Sequence, residues 1–390
     1  MTRLPLLEDL PDVEGKSVLV RVDFNVPIRE VDGQRVVADD FRIKSAIPTL
    51  SWLIERGAKV TCATHLGRPA GKPDPALDVS PVRDRLNELI PGVTLLENLR
   101  FDPGEEANAE AFVDRLVEGE DLYVNDAFGS SHRAHASIVG PPSRLPSAAG
   151  RLLAREAEVI GGLLESPKRP FVAVLGGAKV ADKLGIVRAL AEHADTVLIG
   201  GGMAYTFLAA KGEQIGKSLF DPTKLEECKK LLSGSLEIRL PSDVVAIGPG
   251  GSLHPFGEEA DADDPVGTFS GGIPEGWEGV DIGTETRDAY AKEIDEAGTV
   301  FWNGPVGFFE DPRFALGTRA LADALASSAG FTVVGGGDVV AAIDGFGLED
   351  KIDFVSTGGG ASLELLEYGD LPGLAALRSA SNAPRDGGRR

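Results

Sequence analysis

The chain has 390 residues, 42% of them hydrophobic, which suits two domain cores, and no stretch approaches the ~18 continuous apolar residues of a membrane span. Its 61 acidic and 39 basic residues give a net charge of −22, a surface that repels nucleic acid and anionic membranes and so argues against both as partners. Such self-repulsion strains a compact fold in dilute buffer but is screened at ~1 M salt, where the Debye length is ~3 Å, and the reading is a halophilic protein.

The first residues, MTRLPLLEDLPDVEG, lack an apolar signal region, so a cytoplasmic location is expected. SVLVRVDF (17–24), KVTCATH (59–65), VTLLEN (93–98) and DLYVNDAF (121–128) predict strands. Between them RIKSAIPTLSWLIERG (42–57), PVRDRLNELI (81–90) and AEAFVDRLVEG (109–119) carry helical periodicity. That alternation predicts a parallel sheet with crossover helices over residues 1–165. Next, LPSAAGRLLAREAEVIGGLLESP (145–167) predicts a connecting helix, softened by Gly150 and Gly161–Gly162 and closed by Pro167 and Pro170. FVAVLGG (171–177), DTVLIGGG (195–202), SDVVAIG (242–248), TVFWNGPVG (299–307), FTVVGGGD (331–338) and DFVSTGGG (353–360) predict a second parallel α/β sheet within 166–372. The Gly-, Pro- and Asp-rich stretch 249–277 has no periodicity and reads as a solvated insertion, and SNAPRDGGRR (381–390) as a frayed end to the tail from 373. Cys62 and Cys228 sit in unlike contexts and read as free buried thiols.

Each strand of the first half runs into polar residues that look functional. Asp23 and Asn25 follow the first, His65 and Arg68 the second, Arg100 the third, and His132, Arg133 and His135 the fourth, while Arg42 opens the first helix. Any one of these alone reads as a surface salt bridge. Together, at the carboxyl ends of parallel strands in a chain short of cations, they predict a basic pocket for a small molecule carrying phosphate and carboxylate. Neither His65 nor His132 has a partner at metal-ligand spacing.

In the second half four strands end in glycine corners: VLGGAKVADKL (174–184), LIGGGMAYTFL (198–208), VVGGGDVVAAI (333–343) and VSTGGGASLEL (355–365). Glycine lets a backbone approach an anion, and the helix start that follows offers unpaired N–H groups and a partial positive charge. Four such corners on one sheet edge predict a polyphosphate ligand. Neither a P-loop nor a dinucleotide fingerprint is present, so separate cations must assist the amides. Lys179 and Lys183, four apart on the expected first-corner helix, would share a face there. Asp338, ending the third run, is either an N-cap or a Mg2+ ligand beside phosphates.

In order, RVDFNVP, HLGRP, LLENLRF, NDAFGSSHRAHAS, GGAKVADK, IGKSL, WNGPVG, GGGD and STGGGAS resemble the phosphoglycerate kinase family nearly end to end, here in an acidic, haloarchaeal form. The resemblance implies two Rossmann-like lobes joined by a helix, a C-terminal tail returning to the N-terminal lobe, and a monomer. It implies phosphoryl transfer between ATP and 3-phosphoglycerate, giving ADP and 1,3-bisphosphoglycerate, with Mg2+. Carried over position by position, it puts 3-phosphoglycerate on Asp23, Phe24, Asn25, Arg42, His65, Leu66, Gly67, Arg68, Arg100 and Arg133, with Arg169 as a further member. The nucleotide falls to Gly177, Lys179, Lys183, Lys217, Asn303, Glu310, Gly335, Gly336, Gly337, Asp338 and Val339, with Mg2+ on Asp338. Gly358, Gly359 and Gly360, with Arg42, Lys179 and Lys183, would hold the phosphoryl group in flight. Val339 stands where the family has Thr or Ser, the connector lacks the family's aromatic and methionine, and 249–277 is longer than usual.

Overall fold

The structure, a computed structural model, describes residues 3–255 and 263–382. Residues 383–390, most of the tail expected to fray, and 256–262, the centre of the expected insertion, lie outside the described residues. The chain divides into two compact units, 1–161 with 369–390, and 162–368.

The N-terminal unit is built on β1 (Ser17–Val22), β4 (Lys59–Ala63), β5 (Thr94–Leu95), β6 (Leu122–Asp126) and β7 (Ser147–Ala149), all parallel in the order β5-β4-β1-β6-β7. Residues 18–22 of β1 and all of β6 are buried, as expected of strands covered on both faces, and Val18, Val20, Val22, Val60 and Val124 pack with Ile43, Leu50 and Leu53 of α1 (Phe41–Ile54). A hairpin, β2 (Ile28–Val31) and β3 (Gln34–Val37), was not among the expected elements. It turns at Asp32 and Gly33, φ +52° and +76°, the paired positive angles that an Asp-Gly pair favours. Helices α2 (Ser80–Leu89), α3 (Pro103–Glu106), α4 (Glu110–Val117) and α5 (Ala136–Val139) complete the crossovers.

The connector begins later than its periodicity suggests. Residues 147–149 form β7 rather than helix, because the Ala149 N–H is taken by the Pro5 carbonyl at 2.8 Å, and α6 runs Arg151–Glu165. Gly150 at the junction presses on Asp126, where any Cβ would strike its carboxylate. Asp126 in turn accepts the Leu153 N–H at 3.1 Å and so caps α6.

In the C-terminal unit β8 (Phe171–Leu175), β9 (Thr196–Ile199), β10 (Glu237–Arg239), β14 (Thr299–Asn303), β15 (Phe331–Gly335) and β16 (Phe354–Val355) form a parallel sheet in the order β10-β9-β8-β14-β15-β16. The strand expected at 242–248 is not in it. That segment, β11 (Asp243–Ile247), is the middle of an antiparallel sheet with β12 (Val266–Ser270) and β13 (Glu278–Ile282). So the stretch 249–277 is not solvated throughout. Along β12 burial alternates, and Phe269 packs edge-on against Trp277 with ring centroids 4.8 Å apart. Helices α7 (Leu184–Leu190), α8 (Met203–Lys211), α9 (Leu225–Leu232), α10 (Thr284–Asp295), α11 (Leu316–Ser327), α12 (Gly337–Gly345) and α13 (Gly359–Tyr368) belong to this unit. α14 (Pro372–Asn382) then returns the chain to the N-terminal unit, packing on α5 and β7 with Leu374 and Leu377 fully buried. Its entry is tight: Gly373 donates to the Ser131 carbonyl at 2.9 Å.

Candidate active site

In the N-terminal unit the expected cations do gather at the carboxyl ends of β1, β4, β5 and β6. Arg42, at the start of α1, pairs with Asp23 at 3.0 Å, and Ser130 Oγ donates to the same carboxylate at 3.3 Å. Burial of Asp23 opposes ionisation, but Arg42, His65 and Arg21 outweigh it and hold the carboxyl below its ordinary range. His65, 4% exposed, is pushed well below the usual imidazole value, by burial first, with Arg21, Arg100 and Arg42 adding to the shift. Arg100, also buried, donates to the Gly67 carbonyl at 2.8 Å and feels the charges of Arg133 and Arg21. Arg133 donates from Nε to His132 Nε2 at 3.1 Å.

Other expected members serve differently. Gly67 donates to Asn25 Oδ1 at 2.9 Å, which ties the loops after β1 and β4 together, and Arg68 is exposed beside them. Phe24 and Leu66 are core side chains whose N–H groups are spent on Thr64 Oγ1 at 2.9 Å and Asn98 Oδ1 at 3.2 Å, so neither offers a ligand contact of its own. Arg169 belongs to the other unit. It lies in the C-terminal unit at the amino end of β8, paired with Asp195 at 2.8 Å.

Arg21 was missed, although it stands in the RVDFNVP motif. It is 1% exposed, and its Nε donates to Ser137 Oγ at 2.8 Å while Nη2 donates to His65 Nδ1 at 3.2 Å. A charged residue inside the apolar run VLVRV was the available signal.

The C-terminal unit holds a cavity of about 300 Å3 lined by Gly177, Ala178, Lys179, Asp182, Lys183, Asn303, Gly304, Gly336, Gly337 and Asp338. Its organiser is Asn303 at the end of β14. The Asn303 Nδ2 donates to the Gly335 carbonyl at 2.7 Å, and its Oδ1 and carbonyl oxygen both accept from Lys183 Nζ, the latter at 3.2 Å. Gly336, φ +103°, leaves room for this amide, which an added Cβ would meet at 3.0 Å. Burial pulls the Lys183 amine down to about 8, with Asp338 and Asp182 opposing the shift.

The four corners are not equivalent. After the first, residues 178–183 are not helical and α7 begins at Leu184, so Lys179 and Lys183 do not share a helix face. The Gly177 N–H is bonded to the Pro305 carbonyl at 2.8 Å and its carbonyl to the Met203 N–H at 3.0 Å, which draws the chain sideways instead of into a helix. At the second corner Gly200 and Gly201 permit close packing: added Cβ atoms would meet the Val306 side chain at 2.6 Å and the Gly177 nitrogen at 2.7 Å. Those glycines serve packing and do not line the cavity. The third and fourth corners abut, with the Cβ position of Gly359 3.5 Å from the Gly336 Cα. The Gly358 N–H is turned to Ser356 Oγ at 3.1 Å, whereas Gly359 and Gly360 open α13, where first-turn N–H groups lack intrahelical acceptors.

Val339 is fully buried in the core cluster with Val306 and Val334, so only its backbone can face a ligand. Lys217 is exposed after α8, its N–H bonded to the Trp277 carbonyl at 2.7 Å, away from the cavity lining. Glu310 is half-buried near Asp338, and burial followed by that neighbouring charge raises its carboxyl. Among the described residues no group of three or more His, Cys, Asp or Glu could hold a metal ion by itself. Asp338 beside glycine amides, with Asp182 in the same lining, nevertheless suits Mg2+, which is commonly held by one or two carboxylates plus ligand phosphates. Both thiols, Cys62 and Cys228, are free and buried, and no helix among the described residues is long and apolar enough to cross a membrane.

Fold and site together define a two-unit α/β protein in which the carboxyl edge of each parallel sheet gathers polar groups, arginine-rich in one unit and glycine-rich in the other. A sequence model of the family described as phosphoglycerate kinase matches residues 7–94 and 91–369. The phosphoglycerate kinase of Rubrobacter xylanophilus is 47% identical over 390 residues, 94% of this chain and 96% of that protein. The structure of phosphoglycerate kinase from Coxiella burnetii matches with a TM-score of 0.85 at 35% identity, covering 97% of this chain and 99% of that one. The Pyrococcus horikoshii phosphoglycerate kinase structure matches with a TM-score of 0.81 at 31% identity and the same coverage. The chain belongs to the phosphoglycerate kinase family.

Proposed function

We propose that this protein reversibly transfers a phosphoryl group between ATP and the carboxylate of 3-phosphoglycerate, giving ADP and 1,3-bisphosphoglycerate, in glycolysis or gluconeogenesis. One observation carries the reading: each unit presents its own sheet edge with groups suited to anions, arginines in one and glycine amides with lysines in the other, which gives donor and acceptor separate seats. The N-terminal unit takes 3-phosphoglycerate through Arg42, Arg100, Arg133 and His65, and the C-terminal unit takes the nucleotide on Lys179, Lys183 and the Gly336–Gly337 corner. The acceptor carboxylate is ionised at neutral pH and needs no general base. Catalysis is then alignment and neutralisation of charge, with Arg42, Lys183 and the Gly359 and Gly360 amides around the moving group. Mg2+ arriving with the nucleotide would be held by Asp338 and would offset phosphate charge. Transfer between separate seats requires the units to close during turnover, which also keeps water from the acyl phosphate.

The protein acts as a cytoplasmic monomer with small-molecule partners only, and the charge of −22 is the ground for a halophilic setting. The test is ADP formation from ATP with 3-phosphoglycerate, acetate or aspartate, from low to multimolar KCl. Turnover should require 3-phosphoglycerate and rise with salt. Preference for another acid would reassign the substrate, ATP binding without transfer would leave a nucleotide-binding scaffold, and activity indifferent to salt would remove the halophilic reading.

A further inference from the structure

The hydrogen-bond chain that ends on His65 begins at Glu105, a carboxylate with no ligand contact of its own. Glu105 in α3 is fully buried, and among the described residues no Lys or Arg pairs with it. Both its oxygens are instead given to one residue: Ser137 N–H donates to Oε2 at 2.9 Å and the Ser137 hydroxyl to Oε1 at 2.6 Å. His135 Nδ1 stands 3.8 Å from Oε1, beyond hydrogen-bond reach. A hydroxyl has one proton, so once it is committed to Glu105 the Ser137 oxygen has only lone pairs to offer. It accepts from Arg21 Nε at 2.8 Å. Arg21 Nη1 is occupied by the Val22 carbonyl, leaving Nη2 to donate to His65 Nδ1 at 3.2 Å. A guanidinium cannot accept, so every proton in the chain has a fixed direction and Nδ1 of His65 must be the acceptor.

We propose that Glu105 and Ser137 are positioning residues for acceptor binding: through Arg21 they hold His65 as the neutral tautomer with its proton on Nε2, ready to donate to an anionic oxygen. The hydrogen bond of the His65 ring among the described residues is the Nδ1 contact with Arg21, which leaves the Nε2 proton for a ligand. Burial of His65, helped by the charges of Arg21, Arg100 and Arg42, disfavours the doubly protonated ring and outweighs Asp23, which favours it. The ligand half of this inference rests on the N-terminal unit being the 3-phosphoglycerate seat; the tautomer half does not.

Long-range 1H–15N spectra of the full chain labelled on histidine, at neutral pH, read the tautomer directly. Wild-type His65 should be neutral with the proton on Nε2. Ser137→Ala and Glu105→Gln should each yield a mixture of tautomers and raise the KM for 3-phosphoglycerate about tenfold, the scale of lost supporting contacts, with the KM for ATP and kcat moving less than about twofold. Combining Glu105→Gln with His65→Gln should cost no more than His65→Gln alone. A wild-type His65 carrying its proton on Nδ1, or on both nitrogens, overturns the proposal even if a variant does not fold. So do variants that lose thermal stability while tautomer and KM stay as in wild type, which is what a purely structural role predicts. If wild type ignores 3-phosphoglycerate but shows the Nε2 tautomer, the substrate assignment fails and the positioning chain stands.

Discussion

Lys183→Met removes an ammonium group that folding places against Asn303 alone, with no carboxylate hydrogen-bonded to it. Burial lowers that amine from its ordinary 10.5 to about 8. At about 1.4 kcal/mol per tenfold the drop amounts to about 3 kcal/mol, which residual solvent contact of the half-buried side chain reduces to about 1–2 kcal/mol. Below pH 8 folded and unfolded chains both carry the proton and the cost is felt in full. Between 8 and 10.5 the folded chain releases its proton first, so wild-type stability rises with pH, whereas methionine has no such dependence. The donor that Asn303 loses adds a penalty independent of pH, which cancels in the comparison. Urea unfolding of both proteins, followed by the fluorescence of the fully buried Trp302, should show wild type gaining about 1–2 kcal/mol on the variant between about pH 7 and about pH 10. Turnover of the variant should be lower by about 10²–10³. A stability difference that stays flat across that range refutes the picture of a desolvated ammonium waiting for phosphate.

Arg42→Ala should abolish turnover while the KM for ATP stays within about twofold, since Arg42 lies in the N-terminal unit; a variant keeping more than about a tenth of wild-type kcat, a loss below ~1.4 kcal/mol, would discard its role at the moving phosphoryl group. The same change leaves Asp23 without the first of its cations, so its carboxyl should titrate higher, as carbon-detected NMR can follow. Val339→Thr should cost about 1–2 kcal/mol by burying a hydroxyl in an apolar cluster and leave the KM for ATP unchanged; a lower KM would mean that the hydroxyl reaches the phosphates.

What could be read along the chain was what has a period or a short-range signature. The buried strands at 17–22, 59–63 and 122–126 announce themselves as apolar runs, and the cations beyond them follow from the rule that parallel strands share one functional edge. Partnership between distant segments was not visible. Asp243–Ile247 is as apolar as its neighbours, and only its antiparallel pairing with Val266–Ser270 and Glu278–Ile282 removes it from the main sheet. Gly200–Gly201 and Gly336–Gly337 look alike in sequence, yet the first pair makes room for Val306 and Gly177 and the second for Asn303 and the cavity. Lys179 and Lys183 have helical spacing but no helix, because the carbonyl of Gly177 is claimed by Met203, 26 positions further on. Glu105 and Ser137 were passed over for the same reason: nothing local tells an acid at 105 that it will face a serine at 137.

The most direct measurement is a crystal structure of the protein soaked with 3-phosphoglycerate and a non-hydrolysable ATP analogue together. The phosphoglycerate should lie among Arg42, His65, Arg100 and Arg133 in the N-terminal unit, and the analogue's phosphates against Lys183 and Gly336–Gly337 in the other. Both ligands lodged in a single unit would contradict the separate-seat account.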